Sequence, residues 1–120
     1  MINPKPIPFQ PRRDLPSPPK HLAAATRRWW SEVIGTYELE SHHIRLLTAA
    51  AEAWDTMQAA RRIVQKEGLT YVSKAGEPKR HPAVGIEQDS RIAFARLLRE
   101  LALDVSTPAD DSRPPQIGGR

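Results

Sequence analysis

Apolar residues recur at three- and four-residue steps in three separate stretches of this chain, and each stretch is bounded by proline, glycine or a polar cap. In the first, Leu22, Ala25, Trp29 and Val33 share a face, with Trp30, Ile34 and Tyr37 in a stripe beside it. That spacing predicts a helix over residues 22–36. The second stretch carries two stripes: Ile44, Leu47, Ala51 and Trp54 on one side, and Leu46, Ala50, Ala53, Met57, Ala60 and Val64 on the other. It predicts a long helix over residues 42–67, with Ser41 as N-cap and Gly68 just past its end. The third opens with Pro82 at the first helical position and presents Ala83, Ile86, Ala93, Phe94, Leu97, Leu98 and Leu101.

Between the last two helices the period changes. "GLTYVSKAGEPKRHPAV" holds a β-branched and aromatic run, a glycine turn and a short basic return, which predicts a β-hairpin over residues 69–80. A two-stranded ribbon is marginal alone in water, so it must lean on its own helices or on a neighbouring subunit. The fold class expected is mainly α: a hairpin or bundle of three helices with a short β-hairpin between the last two. Two apolar stripes on one helix ask for cover on two sides, and a lone helical hairpin covers one. Half of the longer stripe is alanine, which lets another helix approach closely. Association of copies is therefore expected, with Trp29, Trp30, Leu46, Ala50, Ala53, Trp54, Met57, Ala60 and Val64 as the candidate oligomer interface.

Composition changes the picture at the ends. Seven of the twelve prolines lie within residues 1–20, predicting an extended basic arm outside the core. Residues 21–104 form the expected helical oligomerisation core, and residues 105–120 a flexible tail rich in polar residues, proline and glycine. No apolar run approaches the roughly 20 residues that span a bilayer, and no secretory signal is visible. With no cysteine, disulfides and thiolate metal sites are excluded.

Charge is distributed in blocks. Residues 1–30 hold six Lys/Arg against one Asp, whereas residues 31–60 hold one Arg against five acids. Residues 61–80 return to six basic residues against two acids. Two basic blocks around an acidic one suit a nucleic-acid binder, or a subunit whose opposite faces meet across an interface. The candidate DNA-contacting residues are Lys5, Arg12, Arg13, Lys20, Arg27 and Arg28 in the first block, with Arg27 and Arg28 expected to face solvent. Lys74, Lys79 and Arg80 of the hairpin supply a second surface. Arg61, Arg62 and Lys66 crowd the end of the long helix, where positive charge favours the helix dipole or can extend a phosphate-binding patch. Glu87 with Arg91 and Arg96 with Glu100 are four-residue pairs of a solvated face.

Nothing assembles an active site. There is no phosphate-cradling Gly-rich loop followed by Lys-Ser/Thr. His42 and His43 are adjacent, which points them about 100° apart on a helix rather than onto one metal. Glu52 and Asp55 lie far from any histidine in sequence, and no serine, aspartate and histidine gather into a nucleophile and base. No enzyme activity, cofactor or metal is expected.

The order of these features resembles the small subunit of the terminase of tailed double-stranded-DNA bacteriophages. The likeness runs over residues 18–103 and rests on the "PPKHL" opening, Trp29 and Trp30, the "GLTY" run, Gly76, "HPA" at residues 81–83 and the "LLRELAL" close. One departure is Ala102, where the family more often has glycine. The resemblance implies a non-catalytic subunit that forms a ring, binds phage DNA at the packaging start, and recruits or regulates the large subunit, which holds the ATPase and nuclease. It implies action in the cytoplasm of the infected host, and the tail "RPPQIGGR" suits a peptide that docks on the large subunit. The competing readings are a small helical DNA-binding transcriptional regulator and a protein-only oligomeric adaptor. Against the regulator stands "GTYELES", long for the turn of a helix-turn-helix.

Overall fold

A computed structural model describes Pro4 and residues 14–101. The basic arm residues Lys5, Arg12 and Arg13 and the tail 105–120 lie outside the described residues. Three helices, α1 (Ala24–Thr36), α2 (Ser41–Glu67) and α3 (Pro82–Leu101), are joined in chain order, with strands β1 (Thr70–Val72) and β2 (Pro78–Arg80) between α2 and α3. The mainly helical fold with one interposed hairpin is the architecture that the periodicities predict.

At 27 residues, α2 extends about 40 Å and forms the spine of the fold. α3 packs along it and returns to its start, and α1 covers the same starting end. Leu22, Trp30, Val33, Ile34, Leu47, Ala51 and Leu101 close into one core there. Trp30 keeps 2% of its surface exposed and donates its indole N–H to Thr48 Oγ1 at 3.2 Å. Burying an aromatic with its polar tip satisfied is the arrangement such a side chain favours.

Both stripes of α2 find cover within one copy. Ala50, Ala51, Met57 and Ala60 are buried, and Leu46, Ala53, Trp54 and Val64 are half-buried. The expectation that a single chain leaves one stripe open is corrected by α1, which supplies a second partner helix. The exposed large apolar residues lie mostly elsewhere, on the hairpin and on α3, with Ile63 on α2.

Helix ends differ from the simplest reading in one case. Glu40, not Ser41, caps α2: its carboxylate takes the His43 N–H, and its own N–H donates to His43 Nδ1 at 3.3 Å. That reciprocal arrangement satisfies two end groups at once, which a serine hydroxyl alone cannot. His43 is thereby committed to the cap. The rings of His42 and His43 lie 4.1 Å apart rather than diverging, because His42 swings back toward Glu40. Gly68 ends α2 with φ 92° and Gly76 turns the hairpin with φ 83°, backbone that residues bearing a Cβ rarely adopt.

Candidate nucleic-acid and assembly surfaces

The hairpin projects from the end of α2 and α3 with both strands exposed along their length. Its register pairs Thr70 with Arg80, Tyr71 with Lys79 and Val72 with Pro78. The turn is closed by Ser73, whose N–H donates to the Glu77 carbonyl at 2.8 Å and whose Oγ accepts the Glu77 N–H at 3.3 Å. The ribbon differs from edge to edge. β1 with Leu69 is apolar, whereas β2 carries Lys79 and Arg80.

His81 fastens this ribbon to both helices. Its N–H donates to the Leu69 carbonyl at 2.8 Å, and its Nδ1 accepts the Ala83 N–H at 3.0 Å, capping the start of α3. Nε2 then carries the proton and donates to Glu67 Oε1, 2.7 Å away at the end of α2. One imidazole thus spans the helix end, the ribbon and the next helix start. Arg80 lies over α3 because Gly85 leaves room, and a Cβ there would sit 3.1 Å from Arg80 Nη2.

Below the hairpin, Glu87 of α3 accepts from Arg61 Nε of α2 at 3.1 Å and from Arg91 at 3.3 Å. Its side chain is 17% exposed, so the pair is no freely solvated face but a clamp between two helices. The Arg91 hydrogen bonds hold its carboxyl below the ordinary value of 4.5, partial desolvation opposes this, and the Arg61 bond adds to the lowering. The expected Arg96–Glu100 pair does not form, and both residues are exposed. Its order, cation before carboxylate, is the poorer one for a four-residue helix pair.

The other end of α2 carries carboxylates that sequence distance hid. Asp55 Oδ2 accepts the Ala23 N–H at 2.8 Å, and Oδ1 accepts the hydroxyl of buried Thr26 at 2.6 Å. Ala23 has no side chain to cap α1, so a carboxylate from the neighbouring helix does so. Glu52, one turn earlier, meets His21 Nε2 at 2.8 Å, although the two are 31 residues apart. Beside them Ala25, Thr26, Trp29, Trp54 and Phe94 line an open groove of about 210 Å³. Phe94 stands 5.0 Å from Trp54 and 6.0 Å from Trp29, both tilted, so the three rings make one apolar wall.

Over residues 26–115 the sequence matches the family described as phage terminase, small subunit, a span from α1 past the end of α3. The chain belongs to the phage terminase small-subunit family. No curated protein and no solved structure gives a significant match. This small subunit has its role in phage DNA packaging, the role of the family that its order of motifs resembles. Among the described residues no helix is long and apolar enough to cross a membrane, and no three His, Cys, Asp or Glu side chains gather as metal ligands.

Of the cations singled out in the small subunit's sequence, Lys20, Arg28, Lys74, Lys79 and Arg80 are exposed. Arg27 is different. It is half-buried, and its Nη1 donates to the Leu22 carbonyl at 2.6 Å and the Lys20 carbonyl at 3.3 Å, fixing the segment that leads into α1. The solvent-facing position expected for it is corrected on that ground. Of the expected interface residues, Trp30, Ala50, Met57 and Ala60 are interior to one copy, while Trp29 and Trp54 sit on the groove wall. Neither Asp55 nor Glu87 stands out in sequence as a tie between helices. The one available signal was a set of carboxylates on an otherwise apolar, helix-facing surface.

Proposed function

We propose that this terminase small subunit assembles into a ring, binds phage DNA at the packaging start and recruits and regulates the large subunit, whose ATPase and nuclease perform the chemistry in the cytoplasm of the infected host. The small subunit itself catalyses nothing. Membership of the family supports this reading, and one observation on the chain carries the DNA-binding part. Around the hairpin, Arg62, Lys66, Lys74, Lys79 and Arg80 are exposed and make no ion pair among the described residues; Glu67 and Glu87 are tied to His81, Arg61 and Arg91, and the exposed carboxylate of Glu77 is unpaired. Five unpaired cations against one unpaired carboxylate leave a surface of positive potential. Lys20 and Arg28 add a second exposed group on and before α1; Lys5, Arg12 and Arg13, upstream in sequence and outside the described residues, are the remaining cations proposed for phosphate contact.

Binding of this kind is directed at phosphates and is read out by salt. Replacing Lys74, Lys79 and Arg80 together by alanine lowers the slope of log affinity against log salt by roughly 0.9 for each phosphate no longer neutralised. An unchanged slope, measured by fluorescence anisotropy on duplex DNA, removes the hairpin from the DNA surface. Deleting residues 106–120 tests the tail separately, since docking there predicts lost stimulation of the large subunit's ATPase with DNA affinity retained.

A further inference from the structure

Away from the aromatic wall, a second recess opens where residues 14–16 meet the end of α1 and the start of α2, and it holds about 160 Å³. Its floor is an extension of the core. Ile34 is buried there, and Tyr37, Leu39 and Ile44 are half-buried and packed against the core residues. Its rim carries the carboxylates of Asp14 and Glu38, both exposed and in no ion pair. The recess has room for one large apolar side chain, with two negative charges at its mouth.

The chain enters the fold at this recess. Leu15, 44% exposed, stands 4.0 Å from where a Cβ at Gly35 would lie, so the segment already rests on α1. Upstream of Asp14, residues 1–13 hold Lys5, Arg12 and Arg13 and no acid, whereas residues 31–60 hold five acids against one Arg. Phe9 is the large apolar residue nearest to Asp14 in that arm. The five-residue step between them spans at most about 17 Å, enough to turn back into the recess. Pro6, Pro8 and Pro11 stiffen the arm, which lowers the entropy lost on seating it. Pro4, further upstream, is itself buried, which a chain running free into solvent does not allow.

We propose that the N-terminal arm folds back on its own subunit, with Phe9 in the Ile34–Tyr37–Leu39–Ile44 recess and Arg12 and Arg13 beside Glu38 and Asp14. The apolar ring supplies the burial and the charges set the direction of the chain. A neighbour's arm has the same residues, but the arm's own tether is short and gives it an effective concentration of millimolar order at this site. The partner is therefore the same chain.

Trypsin reads the contact, because the arm carries cleavage sites at Arg12 and Arg13 and the hairpin turn supplies an exposed control at Lys74. Cleavage follows the fraction of time that the arm is off, so a recess filled nine-tenths of the time slows it about tenfold. In the full chain, Phe9→Ser and Glu38→Lys each quicken cleavage after Arg12 and Arg13 toward the rate of a free arm. Cleavage after Lys74 and the helical circular dichroism stay as in the parent. The absence of cysteine permits a second measurement, which identifies the chain that supplies the arm. The double variant Gln10→Cys, Glu38→Cys oxidises to a disulfide within one chain, found as a linked tryptic peptide at monomer mass under denaturing conditions.

Covalent dimers from that cysteine pair overturn the internal contact in favour of a neighbour's arm. Equal cleavage after Arg12 and Arg13 in the parent, Phe9→Ser and Glu38→Lys chains, with no disulfide from the pair, overturns the docking outright.

Discussion

At one end of α2, Leu22, Trp30, Val33, Ile34, Leu47, Ala51 and Leu101 close into a core, and Asp55 reaches across to cap α1. At the other end the same helix runs out into a ribbon of two three-residue strands, every residue of which is exposed. The first end turns its polar groups inward onto its own chain. The second keeps its cations free and holds itself together through one imidazole and one carboxylate clamp. The difference separates what folds the chain from what the chain offers to others, and substitutions at the two ends should therefore fail in different ways.

The largest effect belongs to the closed end. Trp30→Ala removes a fully buried indole and costs about 3–5 kcal/mol, a large part of the stability of a domain this size. Chemical denaturation followed by circular dichroism should show the midpoint collapse, and a loss under about 1 kcal/mol would mean that the core closes without this side chain. Asp55→Ala comes next. It strips the cap from α1 and leaves the buried Thr26 hydroxyl without its acceptor, at about 1–3 kcal/mol. Amide hydrogen exchange should localise that loss to the start of α1.

Across the molecule, His81→Ala removes the α3 cap and the bond to Glu67, for about 1–2 kcal/mol. Exchange should quicken at residues 69–84 and stay unchanged at Trp30. Uniform quickening would show that the two ends unfold as one unit and would erase the contrast between them.

The smallest effect is the pH dependence of the Glu87 clamp. Its carboxyl titrates lower in the folded chain than in the unfolded one, so the unfolded state binds the proton first as pH falls. The clamp's contribution is therefore present at neutral pH and is lost as pH drops below 4.5 through the lowered folded value. Glu87→Gln should flatten that limb of the stability curve while leaving stability above it nearly constant with pH. Identical acid limbs in parent and variant would show that Arg61 and Arg91 do not favour the carboxylate.

Periodicity and punctuation placed both ends of α1 and α2 within two residues and the start of α3 at Pro82, since each stripe repeats at the helical step and Gly68 and Pro82 interrupt it. The hairpin was equally legible from its change of period. What periodicity could not supply was which helix covers which stripe. It left α2 one side short, because the position of α1 depends on contacts such as Asp55 with Ala23 that lie 32 residues apart. The surface followed a similar division. Exposure of Lys74, Lys79 and Arg80 could be expected from a short basic strand, whereas the diversion of Arg27 to backbone carbonyls is decided by the path of residues 20–22. The aromatic groove drew residues from three helices, and only their packing brings Phe94 to the two tryptophans.

The Leu69–His81 backbone bond makes the ribbon a detachable spacer. Adding one residue to each strand would lengthen the projection by about 3.4 Å, and adding two would also restore the original facing of its tip. Neither change would touch the bond that anchors it or the helices beneath. Related chains could thus set how far the basic tip stands from the helices by counting residue pairs in one loop.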